Sequence, residues 1–403
     1  MDVNLLNVLQ SGNDNQLALV SARQSLSYAE LTAAVTTLSA WLADTSVKVL
    51  ALKADNSVAW VVVDLACQLA DIVCIPIPDF FSESQICHCL NESGAELLIS
   101  DDPHYGRAIK NGARWSSLPT FPLSSCSASA PVSPVFFCWR SEGNESARIA
   151  IGNYPENTQK ITFTSGSTGN PKGVCLSQQH QWRVAVSLAT GISLHQPRHL
   201  CLLPLSTLLE NIAGIYGPLF CGGTIVIADS KERGLSGSSG LNAQTLLSCI
   251  TNNKPDSIIL LPQLLSVLVA ACQQGWPPPD SLKFVAVGGA RVSPQLLQSA
   301  HDAGLPAYQG YGLSECGSVV ALNTPDEANF FAVGKPLPHT NITIEKGEIV
   351  VTGEVFLGYL GQPESWYPER VHSGDIGTLE DDYLRVSGRS KNVLISSFGR
   401  NIS

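Results

Sequence analysis

The sequence predicts an α/β protein: two layered units with mostly parallel sheets, then a small β-rich unit. Three observations carry that expectation. Apolar β-branched runs alternate with helical patterns along most of the chain, the order found in a parallel sheet covered on both faces. A length of 403 residues, with 44% hydrophobic and 14% charged residues, supports a large core and argues against disorder. From about Asn341 the pattern changes to short alternating runs joined by tight turns.

Taken in order, Ser27-x-x-Glu30 is a capping box. It opens a helix with Leu31, Val35, Leu38 and Leu42 on one face. Strands are expected at 49–52, 72–77 and 96–99, and helices at 57–69 and 82–92. Residues 116–134, rich in Ser and Pro, read as an irregular connection. Alternation then resumes, with strands at 199–203, 224–227, 257–261 and 284–287. The helices between and around them are expected at 178–190, 209–220, 243–252, 263–273 and 294–303. Residues 231–242 and 276–279 read as surface loops, and 341–344 and 348–352 as antiparallel strands around Lys346-Gly347. No internal repeat is evident.

Charge and cysteine usage narrow the function classes. The net charge is −10, from 24 basic and 34 acidic residues, with no basic block. That argues against a nucleic-acid partner. An anionic ligand would have to be held by local groups and a metal ion. The start, Met1-Asp2-Val3-Asn4, lacks a basic leader pattern. The most apolar window, 58–66, is broken by Asp64 and is too short to span a bilayer. Twelve cysteines are scattered, several in apolar runs (Cys67, Cys74, Cys201). They read as reduced thiols of a cytoplasmic protein. Cys87-His88-Cys89 lacks a second ligand pair, so no structural zinc is expected there.

The densest chemical signal is the run Ile161-Thr162-Phe163-Thr164-Ser165-Gly166-Ser167-Thr168-Gly169-Asn170-Pro171-Lys172-Gly173-Val174. Three glycines, four hydroxyls and one lysine fall within the ten residues from Thr164. Glycines let backbone approach a polyphosphate, N–H groups and hydroxyls donate to its oxygens, and the lysine adds a mobile charge. It is not a Walker loop, because Pro171 blocks helix entry and Gly173 follows the lysine. Three further strings follow. Gly288-Gly289-Ala290 ends an apolar strand, where α/β sheets bind ligands. Gln309-Gly310-Tyr311-Gly312-Leu313-Ser314-Glu315 offers a ring to stack on a base and a carboxylate for Mg²⁺. Ser373-Gly374-Asp375 and Ser387-Gly388-Arg389-Ser390-Lys391 pair an acid with basic residues. Taken singly, each is an ordinary turn.

In this order and spacing, the strings resemble the signatures of the adenylate-forming superfamily: acyl-CoA synthetases, peptide-synthetase adenylation domains and luciferases. The resemblance covers most of the chain and is strongest from Ile161 onward. It implies the large N-terminal domain of those enzymes. The two α/β subdomains would occupy 1–340, a β-rich subdomain 341–388, and a hinge and the start of a further domain 389–403. It implies that Thr164, Ser165, Gly166, Ser167, Thr168, Gly169 and Lys172 hold ATP phosphates, with Lys172 catalytic. Gly288, Gly289 and Ala290 would line the acyl pocket and the adenine edge, and Gly310, Tyr311 and Gly312 the adenine. Ser314 would contact phosphate, and Glu315 would be catalytic and hold Mg²⁺. Asp375 and Arg389 would contact ribose or phosphate, and Lys391 would be the hinge.

Two departures qualify the resemblance. Thr207 stands where relatives often carry a histidine or aromatic that gates the acyl pocket. Thr207, Asn211, Gly214 and Val319 are expected near that pocket, and no Asp suited to an α-amino group follows Leu205. This tilts the substrate toward a fatty or aryl acid. The second departure is the end at Ser403, before the family's small C-terminal domain. It reads as a cut chain that binds ATP or an acyl-adenylate with little turnover. The implied reaction is ATP-dependent activation of a small carboxylic acid, then transfer to coenzyme A. The alternatives are transfer to the phosphopantetheine of an acyl or peptidyl carrier protein, and a non-catalytic nucleotide-binding module. The acid and the oligomeric state are not readable.

Overall fold

The computed structural model describes residues 3–109, 115–118, 136–142, 153–164, 170–236, 240–390, 394–395 and 401–402. Two large sheets carry most of it. The first has eight strands, in the order Gly358–Tyr359, Lys172–Leu176, Lys160–Thr164, Val73–Pro76, Val49–Lys53, Leu97–Ser100, Phe137–Ser141 and Trp115–Ser117. Its middle four strands are parallel, and the outer ones pair antiparallel. The second has nine, in the order Lys335–Pro336, Ala321–Leu322, Ala307–Tyr311, Phe284–Val287, Ser257–Leu260, Arg198–Cys201, Thr224–Ile227, Leu17–Val20 and Ser25–Ser27. Six adjacent strands of it, from Ala307–Tyr311 to Leu17–Val20, run parallel. A third sheet, antiparallel, is formed by Thr340–Glu345, Glu348–Gly353, Arg370–Glu380 and Tyr383–Arg389.

Local sequence explains the helices that pack these sheets. Ser27 accepts from the Glu30 amide, and the Glu30 carboxylate accepts from the Ser27 amide, closing the capping box of Tyr28–Asp44. Ser57 caps Val58–Leu69 by accepting from the Trp60 amide. In that helix every residue from Val58 to Gln68 is buried, Asp64 included. A helix buried all round sits inside the core rather than on its surface. A second Ser–Gln box opens Glu83–Ser93. Among the described residues, no helix is long and apolar enough to cross a membrane.

The segment after the Gly/Ser run enters a strand: Lys172–Leu176 forms a hairpin with Lys160–Thr164, Thr164 opposite Lys172. Three expectations need correcting. Residues 210–216 of the expected helix at 209–220 wind as a π-helix, Glu210–Tyr216, and only Gly217–Phe220 is α-helical. The loop expected at 231–242 contains a small hairpin, Leu235–Ser236 with Gly240–Leu241. The irregular connection expected from 116 begins inside an edge strand, Trp115–Ser117. Residues 119–134 of that connection lie outside the described residues.

Candidate active site

The three sheets meet around one cleft of about 800 Å³. Lys172 enters it from the first sheet, and Gly288 and Tyr311 from strand ends of the second. Ser373, Gly374 and Arg389 enter from the third. The cleft therefore lies beyond the C-terminal ends of parallel strands such as Phe284–Val287, the usual ligand crevice of an open α/β sheet.

The sequence-predicted residues distribute unevenly around it. Thr164, Lys172, Gly288, Gly289, Gly310, Tyr311, Gly312, Ser314, Glu315, Thr207, Val319 and Arg389 line the cleft. Ala290 does not. Ser165, Gly166, Ser167, Thr168, Gly169 and Lys391 lie outside the described residues. Asp375 is buried just behind the wall, where its carboxylate accepts from Arg389 Nε at 2.7 Å and from the Tyr311 hydroxyl at 2.7 Å. Burial, and then the Asp375 charge, pushes the Tyr311 phenol well above its ordinary pKa, so it stays a donor. A carboxylate has about four acceptor sites, so this one can still receive further donors.

Two glycines are dictated by space. A Cβ on Gly312 would stand 1.5 Å from the Ser318 carbonyl oxygen. Gly289 has φ +78 and faces Leu261, so a side chain there is strained twice over. Just after Gly312, Ser314–Cys316 forms a 3-10 turn that holds Glu315 at the rim, and the Phe356 amide donates to the Glu315 carbonyl at 2.7 Å. Cys316 beneath it is buried, and burial with the Glu315 charge raises its thiol pKa well above the ordinary value. Under this segment lie two buried histidines. Burial lowers His180 to about 4, with Arg183 acting the same way, and it lowers His339 to about 4, with His180 acting the same way.

Asn211 and Gly214 are not on the cleft, which corrects the sequence expectation. Asn211 turns into a buried polar cluster, donating to Asp64 Oδ2 at 3.0 Å and bonding to the Lys160 ammonium. Gly214 makes room for another cluster: a Cβ there would stand 2.5 Å from Glu210 Oε1 and 2.8 Å from His199 Nε2. Those two groups are 3.0 Å apart in the core. Glu210 and Asn211 both lie on the π-helix Glu210–Tyr216 and are buried there. One wall of the cleft is apolar, formed by Leu208, Leu209, Ile259, Leu261, Leu264 and Val319. The Thr207 hydroxyl is already committed to the Pro204 carbonyl at 2.7 Å.

Sequence reasoning missed Tyr359, Asp64 and Lys160. Asp64 carried a signal, being a lone carboxylate in an otherwise apolar helix, which requires a buried partner. Cys87-His88-Cys89 lies on the helix Glu83–Ser93, and its His88 Nε2 is 3.0 Å from the Pro171 carbonyl oxygen. The histidine thus braces the end of the Gly/Ser run.

A family model described as AMP-binding enzyme matches residues 9–360. The chain is 27% identical to the feruloyl-CoA synthase of an Amycolatopsis species over 408 residues, covering 94% of this chain and 76% of that protein. It is 26% identical to the 2-succinylbenzoate–CoA ligase of Bacillus licheniformis over 373 residues, covering 87% and 71%. Among solved structures, o-succinylbenzoate CoA synthetase from Bacillus subtilis superposes with a TM-score of 0.77 at 23% identity, covering 99% of this chain and 80% of that one.

Proposed function

The chain belongs to the AMP-binding enzyme family, and on that premise we propose that it activates a carboxylic acid with ATP and hands the acyl group to coenzyme A. The observation that carries this reading is the convergence of Lys172, Glu315, Tyr311 and Arg389 on one cleft with an apolar wall. The acid's carboxylate attacks the α-phosphorus of ATP, the bond to the β-phosphate oxygen breaks, and pyrophosphate leaves. The coenzyme A thiol then loses its proton and attacks the acyl carbon, releasing AMP and a thioester.

In this reading Lys172 and the Thr164 hydroxyl steady the phosphates, and Asp375 and Arg389 hold the ribose side. Glu315 would hold Mg²⁺, which when bound would supply positive charge to the phosphates. The chemistry of Glu315 suits such a group, since its carboxylate is an oxygen donor on the cleft rim. Positioning and electrostatics supply most of the catalysis. The apolar wall favours a fatty or aryl acid with no second charge, since an uncompensated charge there would be costly to bury. Buried cysteines such as Cys67, Cys74 and Cys201 are free thiols, in keeping with a reducing, cytoplasmic setting.

The test is ligand binding followed by chemistry. Mg·ATP and a non-hydrolysable acyl-adenylate should each raise the melting temperature, and pyrophosphate release should depend on an added apolar acid. No shift with either ligand would overturn the reading. The phosphopantetheine of a carrier protein presents the same thiol, so a competition between free coenzyme A and holo-carrier identifies the acceptor.

A further inference from the structure

Among the described residues of the cleft, Tyr359 meets both Glu315 and Lys172. It lies on the strand Gly358–Tyr359, opposite Val174 of Lys172–Leu176. Its hydroxyl donates to Glu315 Oε1 at 2.7 Å. Its ring centroid stands 5.3 Å from Lys172 Nζ.

The residue is itself firmly held. Its amide donates to Ser365 Oγ at 2.9 Å, and its carbonyl accepts from Trp366 Nε1 at 3.0 Å. The Phe356 ring packs edge-on at 4.8 Å between centroids. Gly358, at φ +135, lets the chain pass Trp366, where a Cβ would come within 2.7 Å.

We propose that Tyr359 is a positioning residue: its hydroxyl aims the Glu315 carboxylate and its ring aims the Lys172 ammonium, keeping the two apart until ligand arrives. The inference rests on the reading above, in which Glu315 holds Mg²⁺ and Lys172 steadies phosphate. Left together in one cleft, an acid and an ammonium would pair and quench each other. Among the described residues no ion pair joins them; each meets the tyrosine instead. The hydroxyl uses one of the carboxylate's acceptor sites and leaves the others for a metal ion. A cation–π contact is weaker than an ammonium–phosphate bond, so phosphate can replace it. The site is thereby set in advance, with little reorganisation on binding.

The experiment is a Mg²⁺ titration of ATP binding to the full chain, read by calorimetry, with the melting temperature recorded alongside. Tyr359→Phe keeps the ring and removes the hydroxyl. It should raise the Mg²⁺ half-saturation by about tenfold, the scale of a hydrogen bond to a charged group, at an unchanged melting temperature. Tyr359→Leu should in addition weaken ATP binding at saturating Mg²⁺. In a Glu315→Gln background, Tyr359→Phe should add little to the Mg²⁺ defect. A wild-type Mg²⁺ profile for Tyr359→Phe, or equal effects in both backgrounds, overturns the proposal. If the wild-type chain itself binds ATP with no Mg²⁺ dependence, the metal role of Glu315 fails instead, and this inference fails with it.

Discussion

The Lys160 ammonium and the Asp64 carboxylate form an ion pair of 2.8 Å with 1% and 0% of their side chains exposed. Asp64 comes from the buried helix Val58–Leu69, and Lys160 opens the strand that leads to the Gly/Ser run. The Tyr216 hydroxyl, from the π-helix beside the second sheet, donates to Asp64 at 2.6 Å and accepts from Lys160 at 2.7 Å. One charged knot therefore ties both large sheets at the base of the strand Lys160–Thr164.

Breaking that knot should be expensive. Asp64→Ala strands a buried ammonium, and a loss of ~3–5 kcal/mol is expected in denaturant unfolding. The paired change Asp64→Leu with Lys160→Met removes both charges and should recover most of the loss. If the double variant is as unstable as the single one, the pair is not what matters there.

Acid should weaken the fold through His180 and His339. Both are held near 4 in the folded chain, whereas an unfolded histidine titrates near ~6.5. Below that value the unfolded state gains protons the folded state refuses, so stability falls as pH drops from about 6.5 toward 4. Each histidine contributes up to ~1.4 kcal/mol per pH unit in that window. His180→Gln should flatten the slope measured by urea unfolding at several pH values. An unchanged slope would remove this histidine from the account.

Glu315→Gln should lower pyrophosphate release on the order of 10²-fold, as loss of one aimed electrostatic group does. Lys172→Ala should act chiefly on the ATP requirement, leaving the order of preferred acids intact. Steady-state assays across an acid panel check both.

Gly312→Ala forces the Ser314–Val319 segment aside, because its new carbon would overlap the Ser318 carbonyl. ATP affinity should fall by at least about tenfold. Binding at the wild-type level would mean the segment relaxes freely.

Thr207→Trp fills the apolar end of the cleft. kcat/KM for bulky acids should fall about 10–200-fold relative to small ones, the range a hydrophobic pocket can discriminate. An unaltered ratio would place the acyl group elsewhere.

Much of this architecture is local and so legible. Capping at Ser27, Ser57 and Ser82, and the apolar runs of the parallel strands, depend on neighbours in the chain. The pairing of Leu17–Val20 with Thr224–Ile227 joins segments about two hundred residues apart, and no local pattern announces it. The glycine-rich strings identify a crevice because they solve a steric problem at each strand end. Tyr359 stayed hidden because its role comes from a two-residue edge strand that brings it to Glu315 across 44 positions. The position of Asn211 off the cleft stayed hidden because nothing in the local sequence marks the π-turn that carries it.

The buried state of Cys316 bears on side reactions. A mixed anhydride is a strong electrophile that acylates any nearby thiolate. Cys316 adjoins Glu315, yet its proton is held on by burial and by that neighbouring charge. Thiolate, not thiol, is the nucleophile. Under the proposed reaction, a buried and protonated Cys316 would not compete for the activated acid, leaving the intermediate for a thiol that arrives from outside.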